Sequence, residues 1–155
     1  MCPAGSLVVV TSHSTSPLIV VGIDGSAESV RALRWAARYA CASHGKIRAI
    51  LAWQYPPPIG PAPTGAPAGV TREIGQRMRD LLAETVVAGA AGVPVEQQVC
   101  PGHPAQVLLE QARHADLLVV GARGHAPVSG MFLGSVSVHC VTHSRCPVVV
   151  VRGRQ

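Results

Sequence analysis

Four runs, PLIVVGID (17–24), KIRAILAW (46–53), DLLVVG (116–121) and CPVVVVR (146–152), have strand length and carry apolar residues with little polar alternation. A strand with one face in water alternates. A strand buried on both faces does not, and that pattern calls for a parallel sheet with helices on each side. The intervening segments agree. Residues 25–45 have helical apolar spacing, with Ser26 placed to cap the start and Gly45 just past the end. Residues 70–92 carry Ile74, Met78, Leu81 and Leu82 along one stripe, and residues 103–115 form a short helix with Pro104 in its first turn. VPVEQQVC (93–100) is a more polar strand, which places it nearer the sheet edge. Residues 134–144, GSVSVHCVTHS, are ambiguous: β-branched content favours a strand, but a crossover between parallel strands requires a helix. The expected architecture is α/β, a single doubly wound, Rossmann-like five-stranded parallel sheet with strand order 3-2-1-4-5 and helices on both faces.

Proline and glycine interrupt this order at residues 54–69, which read as a long loop, and residues 1–16 read as a flexible leader. At 155 residues the chain has the length of one domain with a substantial core. The formal charge of +5 hints at an anionic partner, but it is dispersed. Arg31, Arg34 and Arg38 fall on one helix, Arg72, Arg77 and Arg79 on another, and Arg152 and Arg154 at the end. Without a basic run interleaved with aromatics, no nucleic-acid partner is expected. Five cysteines, an odd number with no C-x-x-C, fit reduced thiols. No run has membrane-spanning length and no signal-peptide core is present, so a cytoplasmic protein without a membrane partner is expected.

The segment most suggestive of chemistry is GARGHAPVSGMFLGSVS, residues 121–137, directly after the fourth strand. Glycines there serve either turn geometry or close approach to a ligand's phosphate oxygens. No G-x-x-x-x-G-K-[ST] occurs, and no G-x-G-x-x-G follows the first strand. The glycines instead read Gly121-x2-Gly124-x9-Gly134-Ser135. In an open parallel sheet, ligands bind beyond the carboxyl ends of the strands where strand order reverses. If strands one and four meet there, Asp24 and Gly121 share one crevice.

With that spacing, VVGIDGS on strand one, AW on strand two and the terminal CPVVVV, the chain resembles the universal stress proteins over residues 17–152, specifically the branch with the ATP-binding motif G-x2-G-x9-G-[ST]. The resemblance implies a family domain at 17–153 that binds ATP, with magnesium or manganese as the accompanying ion. It places Ile23 and Ala52 at the adenine, Asp24 near base and ribose, and Val120 and Gly121 beside the ribose. Gly124, Gly134, Ser135 and Val136 would meet the phosphates. It further implies a homodimer through the last strand, residues 146–152, with Val149 near the centre of the seam. The spacer HAPVSGMFL departs by carrying Pro127, Gly130 and no Lys or Arg, which leaves Arg123 and His125 as the nearby cations. The expected function is a stress-response regulatory module with slow or absent ATP turnover. The alternatives are a slow divalent-ion-dependent ATPase using Asp24, and a dimeric scaffold with a vestigial nucleotide site.

Blander roles stand beside these. Asp24 could cap the helix that follows, the glycines could merely shape a loop, and Ser135 could be the N-cap of its helix. His139, Cys140, His143 and Cys146 tempt a metal assignment, but H-x-x-x-H lacks a glutamate here, and packed or solvent-facing imidazoles are the simpler reading. No G-x-S-x-G elbow follows a strand, so a serine hydrolase is not expected.

Overall fold

The computed structural model describes residues 16–54, 68–124 and 132–153, with side chains in the first helix of the second segment described from Arg72 onward. The apolar runs become strands in the order β1 (Leu18–Ile23), α1 (Ala27–Ser43), β2 (Lys46–Trp53), α2 (Ala68–Gly89), β3 (Val95–Pro101), α3 (Pro104–Gln111), β4 (Leu117–Gly121), α4 (Ser135–His143) and β5 (Val148–Val151). They form one five-stranded sheet in the order β3-β2-β1-β4-β5. All four pairings are parallel. Strand order reverses between β1 and β4, the expected switch point.

The lack of alternation has a direct cause. Ile19, Val21 and Ile23 pack toward α1 and α2, together with Leu51, Leu82 and Val119. Val20 faces the other way, onto a cluster with Ile50, Leu108, Leu118, Val120 and Cys140 that α3 and α4 cover. Both faces of β1 are therefore core. Truncating Leu118, which is fully buried, to alanine would cost about 2–5 kcal/mol.

Local signals explain most element boundaries. Ser26 caps α1 by accepting the Ser29 N–H at 3.2 Å. The helix ends one residue earlier than glycine placement suggests. His44, not Gly45, adopts the left-handed conformation, with φ 53°. Its amide and that of Gly45 both donate to the Ala40 carbonyl. Histidine is among the residues that tolerate this region. Gly45 is bare for a packing reason, since a Cβ there would sit 2.9 Å from Ile19 Cδ1 and from the Pro17 oxygen. α2 has no basic residue in its last turn. Arg34 of α1 substitutes, donating from Nε and Nη2 to the Ala88 carbonyl at 3.2 Å, where a cation complements the helix dipole.

Three differences from the expected elements matter. α2 begins at Ala68, inside the stretch expected to be loop; residues 55–67 of that stretch lie outside the described residues, as do 1–15 of the leader. The ambiguous segment is helix. It puts Ser137 and Cys140 inward, packs Val136 against the core and leaves Val138 and Val141 exposed. β5 is shorter than 146–152, beginning after a turn in which Ser144 Oγ donates to the Cys146 carbonyl at 2.9 Å.

β5 and β3 are the sheet edges. In a parallel ladder, alternate residues turn both N–H and C=O toward the same neighbour. Pro147 and Val151 accept from the Leu118 and Ala122 amides at 3.0 and 2.8 Å. Val149, midway between them and paired with Val119, therefore also points toward β4. Among the described residues the free-edge amides belong to Val148 and Val150, so the expected edge donor is not Val149, whose amide is directed at β4. Among the described residues, no helix is long and apolar enough to cross a membrane.

The cysteines differ sharply in environment. Burial on the inner side of α4 pushes the Cys140 thiol up to about 11, whereas Cys41 is exposed on α1. Iodoacetamide near neutral pH should therefore alkylate Cys41 in the native protein and reach Cys140 only after denaturation. Peptide mapping that finds both modified at equal rates would contradict this packing.

Candidate functional site

At the switch point β1 delivers Asp24 and β4 delivers Gly121 to the rim of a cleft of about 290 Å³. Its wall includes all nine residues assigned to the nucleotide from the sequence, Ile23, Asp24, Ala52, Val120, Gly121, Gly124, Gly134, Ser135 and Val136, together with Arg123; His125, Pro127 and Gly130 lie outside the described residues. Ligand pockets run from roughly 300 to 1,000 Å³, so this one is small. Ile23, Ile50, Leu108 and Val120 make one side apolar and are buried. The glycine segment and the start of α4 make the other side polar.

The three motif glycines are bare for different reasons. A Cβ on Gly121 would lie 3.0 Å from Glu28 Cβ and 3.1 Å from its carbonyl carbon, so glycine lets the first turn of α1 close against the end of β4. A Cβ on Gly124 would lie 2.6 Å from Asp24 Oδ2. Gly134 is under no such demand. Its φ of −74° and ψ of 161° suit any residue, and a Cβ would make only ordinary contacts, the nearest at 3.5 Å. Among the described residues, nothing in the protein requires glycine at 134. No described atom comes closer than that 3.5 Å to the space in front of it.

α4 starts at that space. The Gly134 amide donates to the Ala122 carbonyl at 2.7 Å, and Ser137 Oγ donates to the Gly121 carbonyl at 2.7 Å. These two bonds fasten the helix start to the end of β4. The first helical bond runs from Val138 N–H to Gly134 C=O at 3.0 Å. Among the described residues, the amides of Ser135, Val136 and Ser137 are thus the orphan donors of the first turn, and Gly134, the N-cap, has no side chain to cap them. Ser135 is the first helical residue, which sets aside the alternative that it is the N-cap. Together these donors form the positive end of the helix dipole.

Asp24 is exposed. Its Oδ1 accepts the Ser26 amide at 2.9 Å in the turn before α1. Ser26 is the helix cap, which removes capping as the role of Asp24. Two further residues escaped the sequence reading. Glu28, on the first turn of α1, accepts the backbone N–H of Arg123 at 2.7 Å. Ser137 is the second serine of GSVS, and only the inward side of α4 identifies it. The His–Cys group is divided: His139 and His143 stack at 4.2 Å on the outer face of α4, while Cys140 points into the core. Among the described residues, no three His, Cys, Asp or Glu side chains gather as a metal-holding group.

Comparison with known proteins adds a lineage to this geometry. The sequence pattern of the universal stress protein family matches residues 16–152. A universal stress protein of Mycolicibacterium smegmatis is 34% identical over 162 residues, covering 97% of this chain and 52% of that protein. Another, of Mycobacterium tuberculosis, is 33% identical over 148 residues, covering 91% and 49%. The chain thus spans about half the length of the curated relatives it matches. Among solved structures, a universal stress protein in complex with cAMP is 32% identical, with a TM-score of 0.67 over 89% of this chain and 98% of that one. A universal stress protein from Lactobacillus plantarum, 21% identical with a TM-score of 0.65 over 88% and 97% of the two chains, shares the fold.

Proposed function

The chain belongs to the universal stress protein family, and on that premise we propose that its cleft binds ATP or a related adenine nucleotide, serving a stress-response regulatory role. The observation that carries this reading is Gly134, for which the described residues give no internal cause, placed before a helix start with three amides that no described residue uses. Such a cradle suits a phosphate, because the donors and the helix dipole both favour an anion. The apolar side, with Ile23, Ala52 and Val120, suits the base, and Asp24 at the rim suits a ribose hydroxyl. Gly121 borders the sugar, while the amides of Gly124, Ser135 and Val136 face the phosphates; that of Gly134, expected there from the sequence, is given to the Ala122 carbonyl, and Gly134 contributes its missing side chain instead. That a 32% identical relative was solved with cAMP supports the same class of ligand here.

The residues present also accommodate a magnesium or manganese ion travelling with the nucleotide. Asp24 is the one carboxylate on the described wall, and a divalent ion there would offset phosphate charge. Binding rather than turnover is the main activity in this reading. Phosphoryl transfer demands strong charge neutralisation and an aligned nucleophile, whereas the described wall has a single cation, Arg123, already engaged by Glu28. The free edge of β5 supports a homodimer built by pairing two such edges about a two-fold axis. A cytoplasmic location completes the proposal.

Mass spectrometry of small molecules released from the purified protein, followed by calorimetry with AMP, ADP and ATP, tests the assignment. An adenine nucleotide recovered in stoichiometric amount, or micromolar binding of one of them, is expected. Absence of both would refute it.

A further inference from the structure

Glu28 reaches from α1 across the switch point into the glycine segment. Its Oε2 accepts the Arg123 backbone amide at 2.7 Å, and its Oε1 lies 3.7 Å from Nη2 of both Arg123 and Arg31. The Glu28 side chain is only 13% exposed, against 38% for Arg123 and 42% for Arg31. The carboxylate is therefore the fixed member, and two arginines close on it. Gly121 permits this, since any larger residue would meet Glu28 itself. The bond to the Arg123 amide also fixes the backbone one residue before Gly124.

The consequence is electrostatic. Arg123 is the only cation, and Asp24 the only acid, on the described wall of the cleft. Counting the pair behind it, Glu28 and Arg31, acids and arginines balance, so this wall offers a polyphosphate no surplus positive charge. What it does offer is a short row of neutral amide donors at the start of α4, enough for one phosphate group. We propose that Glu28 is a specificity-determining residue: by holding and neutralising Arg123, it biases the cleft toward adenosine ligands with a single phosphate group over a triphosphate. The inference rests on the adenine-nucleotide reading of the cleft given above and adds the charge selection made within it.

Glu28→Gln isolates the charge, because the glutamine carbonyl still accepts the Arg123 amide. Calorimetry with AMP and with ATP, in chelator to remove divalent ions, should find wild-type protein binding AMP at least as tightly as ATP. In Glu28→Gln the ATP affinity should rise about fivefold relative to AMP, the size expected of a partly exposed charge contact. The gain should shrink in about 0.5 M salt, where charges are screened within a few ångströms. Adding Arg123→Gln should erase the gain, while Arg123→Gln alone should lower the ATP-to-AMP ratio by a similar factor, because the balance of two acids and two arginines then tips to the acids. A ratio that Glu28→Gln does not move, including an equal loss for both ligands, would overturn the proposal and reduce Glu28 to a strut. If circular dichroism finds Glu28→Gln unfolded, the wild-type ratio alone decides, and ATP bound more tightly than AMP would refute the proposal. Wild-type protein that binds neither nucleotide would instead refute the adenine reading itself, in an arm that involves no variant.

Discussion

Gly134→Val should weaken adenine-nucleotide binding by about a hundredfold or more while the protein stays folded. The magnitude corresponds to losing one or two charge-assisted hydrogen bonds of roughly 1.5–3 kcal/mol each. The position is chosen because it separates ligand from fold. A Cβ at 134 makes only ordinary contacts with described atoms, and its backbone angles are open to any residue. The two neighbouring motif glycines do not allow that separation. Gly121→Val would drive α1 off the end of β4 through the Glu28 backbone, and Gly124→Val would displace Asp24, itself on the cleft wall. Unchanged affinity in a folded Gly134→Val protein would remove the phosphate cradle from consideration.

Two proline substitutions one residue apart should have opposite consequences. Val149→Pro removes an amide directed at β4 and should destabilise the sheet by about 3 kcal/mol or more. Val150→Pro removes an amide directed at the free edge, where proline is tolerated. It should leave thermal stability of the subunit nearly intact and convert a dimer to monomer at micromolar concentration. Light scattering and thermal melts on both proteins read the contrast. A Val150→Pro protein that stays dimeric would place any assembly away from β5, and a Val149→Pro protein as stable as wild type would contradict the ladder phase assigned from Pro147 and Val151.

Much of this fold is written in the sequence because a strand buried on both faces cannot hide it. Ile19, Val20 and Val21 are each fully buried although they point to opposite sides, and only a doubly covered sheet needs such a run. The cleft was legible for a related reason: glycines at fixed intervals mark close backbone approach, here to Glu28 at Gly121 and to Asp24 at Gly124. What was not legible depends on contacts distant along the chain. Glu28 reads as an ordinary acid at a helix start, favourable to the dipole, and its partner Arg123 lies 95 residues away. The ladder phase that turns Val149 inward and Val150 outward leaves no trace in VVVV, since all four side chains are alike. The end of α1 misled by one residue because Gly45 serves Ile19 and Pro17 rather than the turn. Ser137 was hidden because inward and outward serines are indistinguishable until the helix phase is known.

The most direct measurement is an amide NMR titration of the isotopically labelled protein with AMP. Binding at the cleft should shift the resonances of Gly124, Gly134, Ser135 and Val136 together and saturably. His44 and Asp116, near the amino-terminal ends of β2 and β4 and so at the opposite end of the sheet, should stay still. A titration in which the four cleft amides do not move, or in which the largest shifts fall at that opposite end, would contradict nucleotide binding at the switch point.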